Sequence, residues 1–381
     1  MARDSSETKA RLRKLWFQVH KWIGLVLAIL IVPISLTGSA LVWHDWVDEA
    51  VNPERKVSAE ATQPAAFYAQ AARAALAPKE ALLSLTYPDG QGAVLATAAR
   101  ESRGAAGGRP VRTQLYLDPT DGHVLDRAAS NAGFVRVMHR LHGSLMVPGL
   151  GRPIVGWVGV AMMLSAFTGL WLWWPFRGGF TRGFRWQRSP TTSGNLHHQF
   201  GFWIALPLFA LSLTGAWISF PAFFGALSGE QGGQRGGPGG AGGGGATPLL
   251  ETQLGPDQAL AAATPFATGA LRSIAWPTER EASWTIGFAR EGGNAEVKVD
   301  DASGQAAAPE PPRPETTARL MRRIHDGTGT GAVWQIIIFL GGLIPAGLAV
   351  TGVIMWLDQR KRRKKAERNR MSREEAAAAA A

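Results

Sequence analysis

The sequence predicts an α-helical membrane protein in which four transmembrane helices form two parallel repeats, each with a small α+β domain outside the membrane. Three observations predict this fold: long stretches without a charged residue, tryptophans at the ends of those stretches, and motifs that recur at a fixed offset. Each stretch meets the roughly 20 residues needed to cross a bilayer, and such runs are rare in soluble proteins. The stretches are 22–43, 153–176, 199–229 and 327–357.

The first recurring motif places a histidine at the start of two apolar stretches. Residues 20–24 (His-Lys-Trp-Ile-Gly) and 35–38 (Ser-Leu-Thr-Gly) are matched 177 positions later by 197–201 (His-His-Gln-Phe-Gly) and 212–215 (Ser-Leu-Thr-Gly). The constant offset over both parts indicates that the helix is duplicated.

The second recurring motif places a histidine before the other two stretches. Leu141-His142, followed by Thr168-Gly169, is matched 183 positions later by Ile324-His325, followed by Thr351-Gly352. The repeat unit is therefore an outward helix, an outer domain and a return helix. Two such units predict a parallel repeat about an axis along the membrane normal.

The basic residues predict the orientation in the membrane. Residues 1–21 carry six Lys or Arg and two acids, 177–189 carry four Arg and no acid, and 358–381 carry nine basic residues and four acids. Because basic flanks stay in the cytoplasm, both termini are expected inside and both long connections outside. The net charge of +11 then reflects orientation and not a nucleic-acid-binding surface. The first apolar stretch is too long for a cleaved signal and reads as a signal anchor.

The two outer segments share a helix–strand–turn pattern, because a short alternating strand runs into an Asp/Gly turn at 115–122 and again at 297–304. Each is preceded by a helical stretch and another strand, at 64–77 and 82–97 in the first copy and at 256–264 and 282–289 in the second. A domain of this size buries little core, so each is expected to lean on the membrane helices or on its twin.

These patterns divide the chain into eleven segments. In order they are the cytoplasmic N-terminus 1–21, the first transmembrane helix 22–45, the first outer domain 46–138, a surface segment 139–152, the second transmembrane helix 153–176, the cytoplasmic loop 177–196, the third transmembrane helix 197–226, the second outer domain 227–324 with a Gly-rich linker at 229–246, a surface segment 325–331, the fourth transmembrane helix 332–357 and the basic cytoplasmic tail 358–381.

The duplicated histidines predict two facing pairs. His20 and His197 both begin an outward helix, so they lie at the same depth, and each shares a helix face with a glycine four residues later. Alone, His20 would read as an interfacial polar residue, and His198 competes with His197 because it points about 100° away around the helix.

His142 and His325 precede the return helices on short segments broken by Gly or Pro. His139 and His44 are alternates to this outer pair, although their repeat partners are Arg322 and Pro221. His123, in the Asp/Gly turn, reads as an exposed residue.

Two imidazoles without carboxylates make a poor zinc site but complete a six-coordinate haem iron. The chain has no cysteine, which excludes iron–sulfur clusters, thiolate-ligated haem and covalent haem attachment. Two b-type haems are therefore expected, with His20 and His197 as axial ligands of the inner one and His142 and His325 as axial ligands of the outer one. The recurring Thr-Gly pairs fit either a haem environment or ordinary packing of small residues between helices.

The motifs resemble those of the PepSY-associated transmembrane family. They are the two His-x-x-x-Gly…Thr-Gly patterns, Leu-His-Gly-Ser-Leu-Met at 141–146, Thr-Gly-Leu-Trp-Leu-Trp-Trp-Pro at 168–175 and His-Asp-Gly-Thr at 325–328. The turn at 116–122 resembles the end of a PepSY domain, so the outer domains are expected to be PepSY-like and periplasmic. In pattern the chain is similar to the iron-regulated inner-membrane proteins and ferric-siderophore reductases. The resemblance implies a bacterial inner-membrane protein with two b-type haems that reduces ferric siderophores in the periplasm.

Other functions predict other observations. No strand–Gly-x-Gly-x-x-Gly–helix pattern is present, so electrons are expected from a separate cytoplasmic reductase or from quinol. A haem-free PepSY scaffold that binds a peptide or regulates a protease would be colourless, and a haem quinone oxidoreductase would react with quinones. A transporter lacks support, because none of the four stretches carries a charged residue.

Overall fold

The structure is a computed structural model that describes residues 2–100, 111–175, 180–186, 188–230, 248–290, 293–311 and 315–379. Most of the predicted Gly-rich linker, residues 231–246, lies outside the described residues, as do 176–179 at the junction of the second transmembrane helix and the cytoplasmic loop. In chain order the elements are α1 (Ala2–Leu41), α2 (His44–Val51), α3 (Ala65–Ala75), β1 (Glu80–Thr86), β2 (Val94–Arg100), β3 (Arg112–Leu117), β4 (Val124–Ala129), α4 (Phe134–Ser144), α5 (Gly151–Trp173), α6 (Thr192–Ser219), α7 (Pro221–Leu227), α8 (Pro256–Ala263), β5 (Leu271–Ala275), β6 (Ser283–Arg290), β7 (Gly293–Asp300), β8 (Ala306–Ala307), α9 (Thr317–Asp326) and α10 (Ala332–Ala379).

Four helices, α1, α5, α6 and α10, are long and apolar enough to cross a membrane, which confirms the prediction of a multi-pass membrane protein. Each packs against two of the others, so they form a closed ring in the order α1, α5, α6, α10. Glycines permit the close contacts: a Cβ on Gly342 of α10 would lie 2.4 Å from the carbonyl oxygen of Ser35. Small residues at such crossings replace the hydrophobic driving force that lipid cannot supply.

Short helices α4 and α9, which carry His142 and His325, precede the membrane helices α5 and α10. Leu145 and Met146, which follow α4, have left-handed φ angles of 50° and 58°, and Gly327, which follows α9, has a φ of 77°. A left-handed residue ends an α-helix, so neither segment continues into the membrane helix that follows. His142 and His325 therefore lie on short helices that are separate from the membrane helices.

The outer segments form one sheet and not two separate ones. The eight strands are antiparallel throughout, in the order β4-β3-β2-β1-β5-β6-β7-β8. The two copies join where β1 pairs with β5, with Leu85 opposite Ile274. Pairing covers two edges that would otherwise be open, and α3 and α8 share one core with both halves. The predicted reliance of each copy on its twin therefore takes the form of a shared sheet.

The second copy departs from the first at Asp301, which stands where the first copy has Pro119. In the first copy the hydroxyl of Tyr68 donates to the carbonyl oxygen of Pro119 at 2.7 Å. In the second copy the Asp301 carboxylate, which is buried, accepts hydrogen bonds from Trp284 Nε1 at 2.8 Å and from the backbone N–H groups of Gln253 and Leu254. Both arrangements tie the Asp/Gly turn to the core of the sheet.

Candidate functional site

The membrane unit brings the four predicted histidines together as two pairs. The ring centroids of His20 on α1 and His197 on α6 lie 6.1 Å apart, with the rings at 88° to each other. The ring centroids of His142 on α4 and His325 on α9 lie 5.9 Å apart, with the rings at 41°. Each pair joins equivalent residues of the two repeats, as the constant offsets predict.

The two pairs lie near opposite ends of the bundle. His20 is on α1, and His142 packs on Gly38 of the same helix. The 18 residues from position 20 to position 38 span about 27 Å of helix at about 1.5 Å per residue. The arrangement therefore places one pair of imidazoles close to each side of the apolar part of the bundle.

Every one of the four histidines is held through Nδ1 by a neighbouring helix. His142 Nδ1 lies 2.8 Å from the Ile34 carbonyl oxygen. His20 Nδ1 lies 3.1 Å from the Ser165 carbonyl oxygen, and His325 Nδ1 lies 3.1 Å from that of Leu211. A carbonyl oxygen only accepts, so these three imidazoles carry their hydrogen on Nδ1.

His197 reaches the same state through a hydroxyl. Its Nδ1 lies 3.1 Å from Thr351 Oγ1, and that hydroxyl donates its own hydrogen to the carbonyl oxygens of Gly347 and Leu348. The hydroxyl is therefore the acceptor from His197 Nδ1. In all four histidines Nε2 is then the unprotonated nitrogen, whose lone pair is available to a metal.

The Thr-Gly pairs are where the histidines dock, one pair on each membrane helix. A Cβ added at Gly38 would lie 2.7 Å from His142 Cε1, and one added at Gly169 would lie 3.1 Å from His20 Cε1. A Cβ added at Gly215 would lie 3.0 Å from His325 Cε1, and one added at Gly352 would lie 3.6 Å from His197 Cε1. The glycine thus makes room for the imidazole ring at Gly38, Gly169 and Gly215, whereas a Cβ at Gly352 would make an ordinary contact.

The threonine of a Thr-Gly pair also contacts the ring in three cases. Thr168 Oγ1 lies 3.1 Å from His20 Nδ1, Thr214 Oγ1 lies 3.0 Å from His325 Nδ1, and Thr351 makes the contact with His197 described above. Sequence reasoning left the role of these motifs open between packing and a cofactor environment. The signal that points to the histidines is the repeat itself, since each duplicated histidine is accompanied at a constant offset by a duplicated Thr-Gly pair.

The pairs have the chemistry of a bis-imidazole metal centre. A metal bonded at about 2 Å to a nitrogen of each ring would hold the ring centroids on the order of 6 Å apart, close to both observed separations. Burial lowers the pKa of His142 and that of His325, the pair outside the spanning helices, and so favours neutral imidazole, the form that binds a metal. Fixing the other ring nitrogen by a second-shell acceptor is typical of metal-ligating histidines.

The inner pair also has space beside it. Gly24 and Gly201, each four residues after its histidine, have no heavy atom within 4 Å of the position that a Cβ would take. A flat macrocycle needs such clearance along the helix face that carries its ligand. The ligand set of the inner pair therefore fits a haem, and the two glycines leave the helix face beside it clear.

His198 is turned away from the inner pair. It stacks on Trp173, with ring centroids 5.9 Å apart and planes at 17°, and its Nε2 contacts Arg188 and lies 3.2 Å from the Gly183 carbonyl oxygen. The structure thus places His197, and not its neighbour in the sequence, beside His20.

The remaining histidines lie apart from both pairs. His139 is exposed on α4, and His44 is half exposed with its Nδ1 2.8 Å from Asp45. His123 forms a possible metal-binding group with Asp118 and Asp121, whose candidate ligand atoms lie within 4.8 Å of one another. Those carboxylates already accept the backbone N–H groups of Thr120 and His123, which explains the group as a polar turn.

Comparison with known proteins gives a family that covers most of the chain. None of the curated proteins compared with the chain matches it. The sequence model of the PepSY-associated TM region matches residues 17–359, which include all four paired histidines and all four Thr-Gly pairs. The chain therefore belongs to the PepSY-associated TM region family.

Proposed function

We propose that the chain is a di-haem electron-transfer protein of the bacterial inner membrane that reduces ferric siderophores at the periplasmic face. Two pairs of imidazoles carry the proposal, His20 with His197 and His142 with His325. In each pair the ring centroids lie about 6 Å apart, and the pairs lie near opposite ends of one apolar bundle. Two such centres in series provide a route for electrons through a layer that excludes ions.

The residues of the chain would hold and orient the two groups. The two histidines of each pair would hold a haem, which would supply one-electron redox chemistry when bound. Hydrogen bonds from Nδ1 fix the orientation of each ring and leave Nε2 free. Bonds of this kind also raise the basicity of the ligand, which strengthens the metal–nitrogen bond.

The proposed substrate follows from the resemblance and from the topology. A ferric siderophore is a bulky chelate that does not cross a membrane unaided, and reduction to Fe²⁺ weakens its hold on the iron. The electron comes from a cytoplasmic reductase or from quinol, since the sequence shows no dinucleotide-binding fingerprint of its own.

The first experiment is haem content. Purified protein is expected to be red, to show a low-spin b-type spectrum and to contain two haems in a pyridine assay. His20→Ala or His197→Ala should remove one haem, and His142→Ala or His325→Ala the other. His198→Ala is the matched control beside His197 and should keep both. A colourless protein would overturn the proposal and favour a haem-free PepSY scaffold.

The second experiment is electron delivery. Dithionite-reduced protein is mixed anaerobically with a ferric siderophore or with a quinone analogue, and haem oxidation is followed in a stopped-flow spectrometer. Fast oxidation by the ferric siderophore is expected. Oxidation by quinone analogues and none by ferric chelates would replace the siderophore assignment with a quinone oxidoreductase while leaving the two-haem architecture in place.

A further inference from the structure

The sheet domain contains a cavity that is independent of the paired histidines. It has a volume of about 440 Å³, within the range of roughly 300–1,000 Å³ typical of small-molecule sites. The cavity lies beside the seam between the two halves of the sheet. Its walls come from the end of α3, the turn into β1, residues 249–250, which precede α8, and Trp276, which follows β5. They include the side chains of Leu76, Leu82 and Leu250.

The walls are fixed by hydrogen bonds on both sides. Leu249 N donates to the carbonyl oxygen of Pro277 at 3.0 Å, which holds the 249–250 segment against the end of β5. On the opposite side the Glu80 carboxylate accepts from Ala77 N at 2.9 Å and closes the turn that contains Lys79. The cavity is thus bounded by connected backbone.

Lys79 adopts a backbone conformation that is rare for its residue type. Its φ is 69°, one of three non-glycine residues in the left-handed region among the described residues. Such a residue persists only where its surroundings hold it, and strained residues cluster at ligand-binding sites. At this turn the strain sets the side chain of a cation on the rim of the cavity.

The charge of the cavity is positive. Arg73 and Lys79 line it, and neither side chain has a hydrogen-bond or ion-pair partner in the described part of the chain. The one carboxylate of the lining, Glu80, is already engaged by Thr113 Oγ1 at 2.6 Å and by Arg127 at 2.7 Å. It is therefore not available to neutralise the two cations.

Trp276 forms part of the apolar side of the lining. Its side chain is 3% exposed and stands 5.0 Å from the ring of Trp284.

From these observations we infer that the cavity binds a small organic anion, a carboxylate on an aromatic or aliphatic body. The anionic group lies between Arg73 and Lys79, and the body packs on Trp276 and the leucines. This site goes beyond the proposed electron transfer and does not depend on haem being bound.

The test measures binding of para-fluorobenzoate to the full chain in nanodiscs by fluorine NMR. The native chain is expected to broaden the probe signal. In the double variant Arg73→Gln/Lys79→Gln affinity should fall at least tenfold, because two charge-assisted contacts are lost. Lys56→Gln removes an exposed cation elsewhere in the same domain and should bind as the native chain does, and Arg73→Lys, which keeps the charge, should retain most of the affinity.

The neutral analogue para-fluorobenzamide is expected to bind at least tenfold more weakly than the benzoate. Equal binding of the two probes, equal affinity in the double variant or no binding to the native chain would each overturn the inference. Since lipid partitioning is the same for every variant, it does not imitate the expected pattern. Haem content, measured on the same samples, reports separately on the proposed electron-transfer function.

Discussion

His142 of α4 packs so closely on Gly38 of α1 that any larger residue at position 38 would displace its imidazole. A Cβ there would lie 2.7 Å from His142 Cε1 and 3.0 Å from Nδ1, closer than unstrained atoms approach. Gly38→Ala is therefore expected to shift His142 and to lose or perturb the haem that we propose at the outer pair. Alanine is the better helix former by about 1 kcal/mol, so helix propensity would not explain the loss.

The control for this substitution is Gly352→Ala. A Cβ at Gly352 would lie 3.6 Å from His197 Cε1, an ordinary contact, so the inner haem should remain. Haem content and the reduced absorption spectrum measure both effects. If both variants kept two unperturbed haems, the Thr-Gly pairs would be ordinary helix-packing motifs.

Thr351→Val is expected to weaken the binding of the haem that we propose at the inner pair. It removes the hydroxyl that accepts from His197 Nδ1 while keeping the side-chain shape. Loss of such a partner costs on the order of tenfold or more in metal affinity. The measurement is the rate of haem transfer to apomyoglobin, together with the midpoint potential of the inner haem.

Thr37→Val is the matched control for Thr351→Val. The Thr37 hydroxyl donates within its own helix, to the carbonyl oxygens of Pro33 and Ile34. Thr37→Val should therefore leave the haem transfer rate close to native. Thr351→Ser, which keeps a hydroxyl at this position, should retain most of the haem affinity. Equal effects of Thr37→Val and Thr351→Val would indicate a general packing effect.

The sequence predicts the histidine pairs because equal offsets place equivalent residues at equal depth. It does not predict their Thr-Gly partners, because these lie on other helices and depend on which faces meet in the bundle. Gly38 and Gly169 read equally well as small-residue packing positions. The sequence leaves the choice between His197 and His198 open for the same reason, since only the packed structure places Trp173 and Arg188 around His198.

The sheet shows a similar division between local and distant information. Alternating residues and Asp/Gly turns predict individual strands, such as β3 and β7, within each copy. The pairing of β1 with β5 joins Thr86 to Ser273, which are separated by about half of the chain. Local patterns do not encode such a partner, so the sequence predicts two small domains where the structure has one continuous sheet.

Reporter fusions are expected to place both termini and residue 183 in the cytoplasm and residues 90 and 235 outside. The basis is the concentration of basic residues in the short flanks, where they resist translocation. Alkaline phosphatase and green fluorescent protein fused at each position give opposite signals on the two sides. A periplasmic signal at 183 would remove His20 and His197 from the cytoplasmic side and would contradict the proposed direction of electron flow.

Acid is expected to destabilise the sheet through Glu80. Burial alone would raise the pKa of this carboxyl, but hydrogen bonds from Thr113 and Ala77 and the charge of Arg127 outweigh burial and hold the pKa below its ordinary value of 4.5. A carboxyl with a depressed pKa stabilises the fold above its unfolded pKa, and this stabilisation is lost as pH falls through the folded pKa. The contribution of Glu80 is therefore present at neutral pH and is lost as pH falls through the lowered pKa of its carboxyl.

Glu80→Gln tests this acid sensitivity. The variant should melt at a lower temperature than the native chain at about pH 7, and the difference should shrink as pH falls below the pKa of Glu80. Near-ultraviolet circular dichroism follows the melting, because Trp276 and Trp284 lie in the core of the sheet. Glu296→Gln removes an exposed carboxylate from β7 and controls for the loss of one charge. A difference between Glu80→Gln and the native chain that stayed constant from neutral to acid pH would contradict the proposed role of the Glu80 charge.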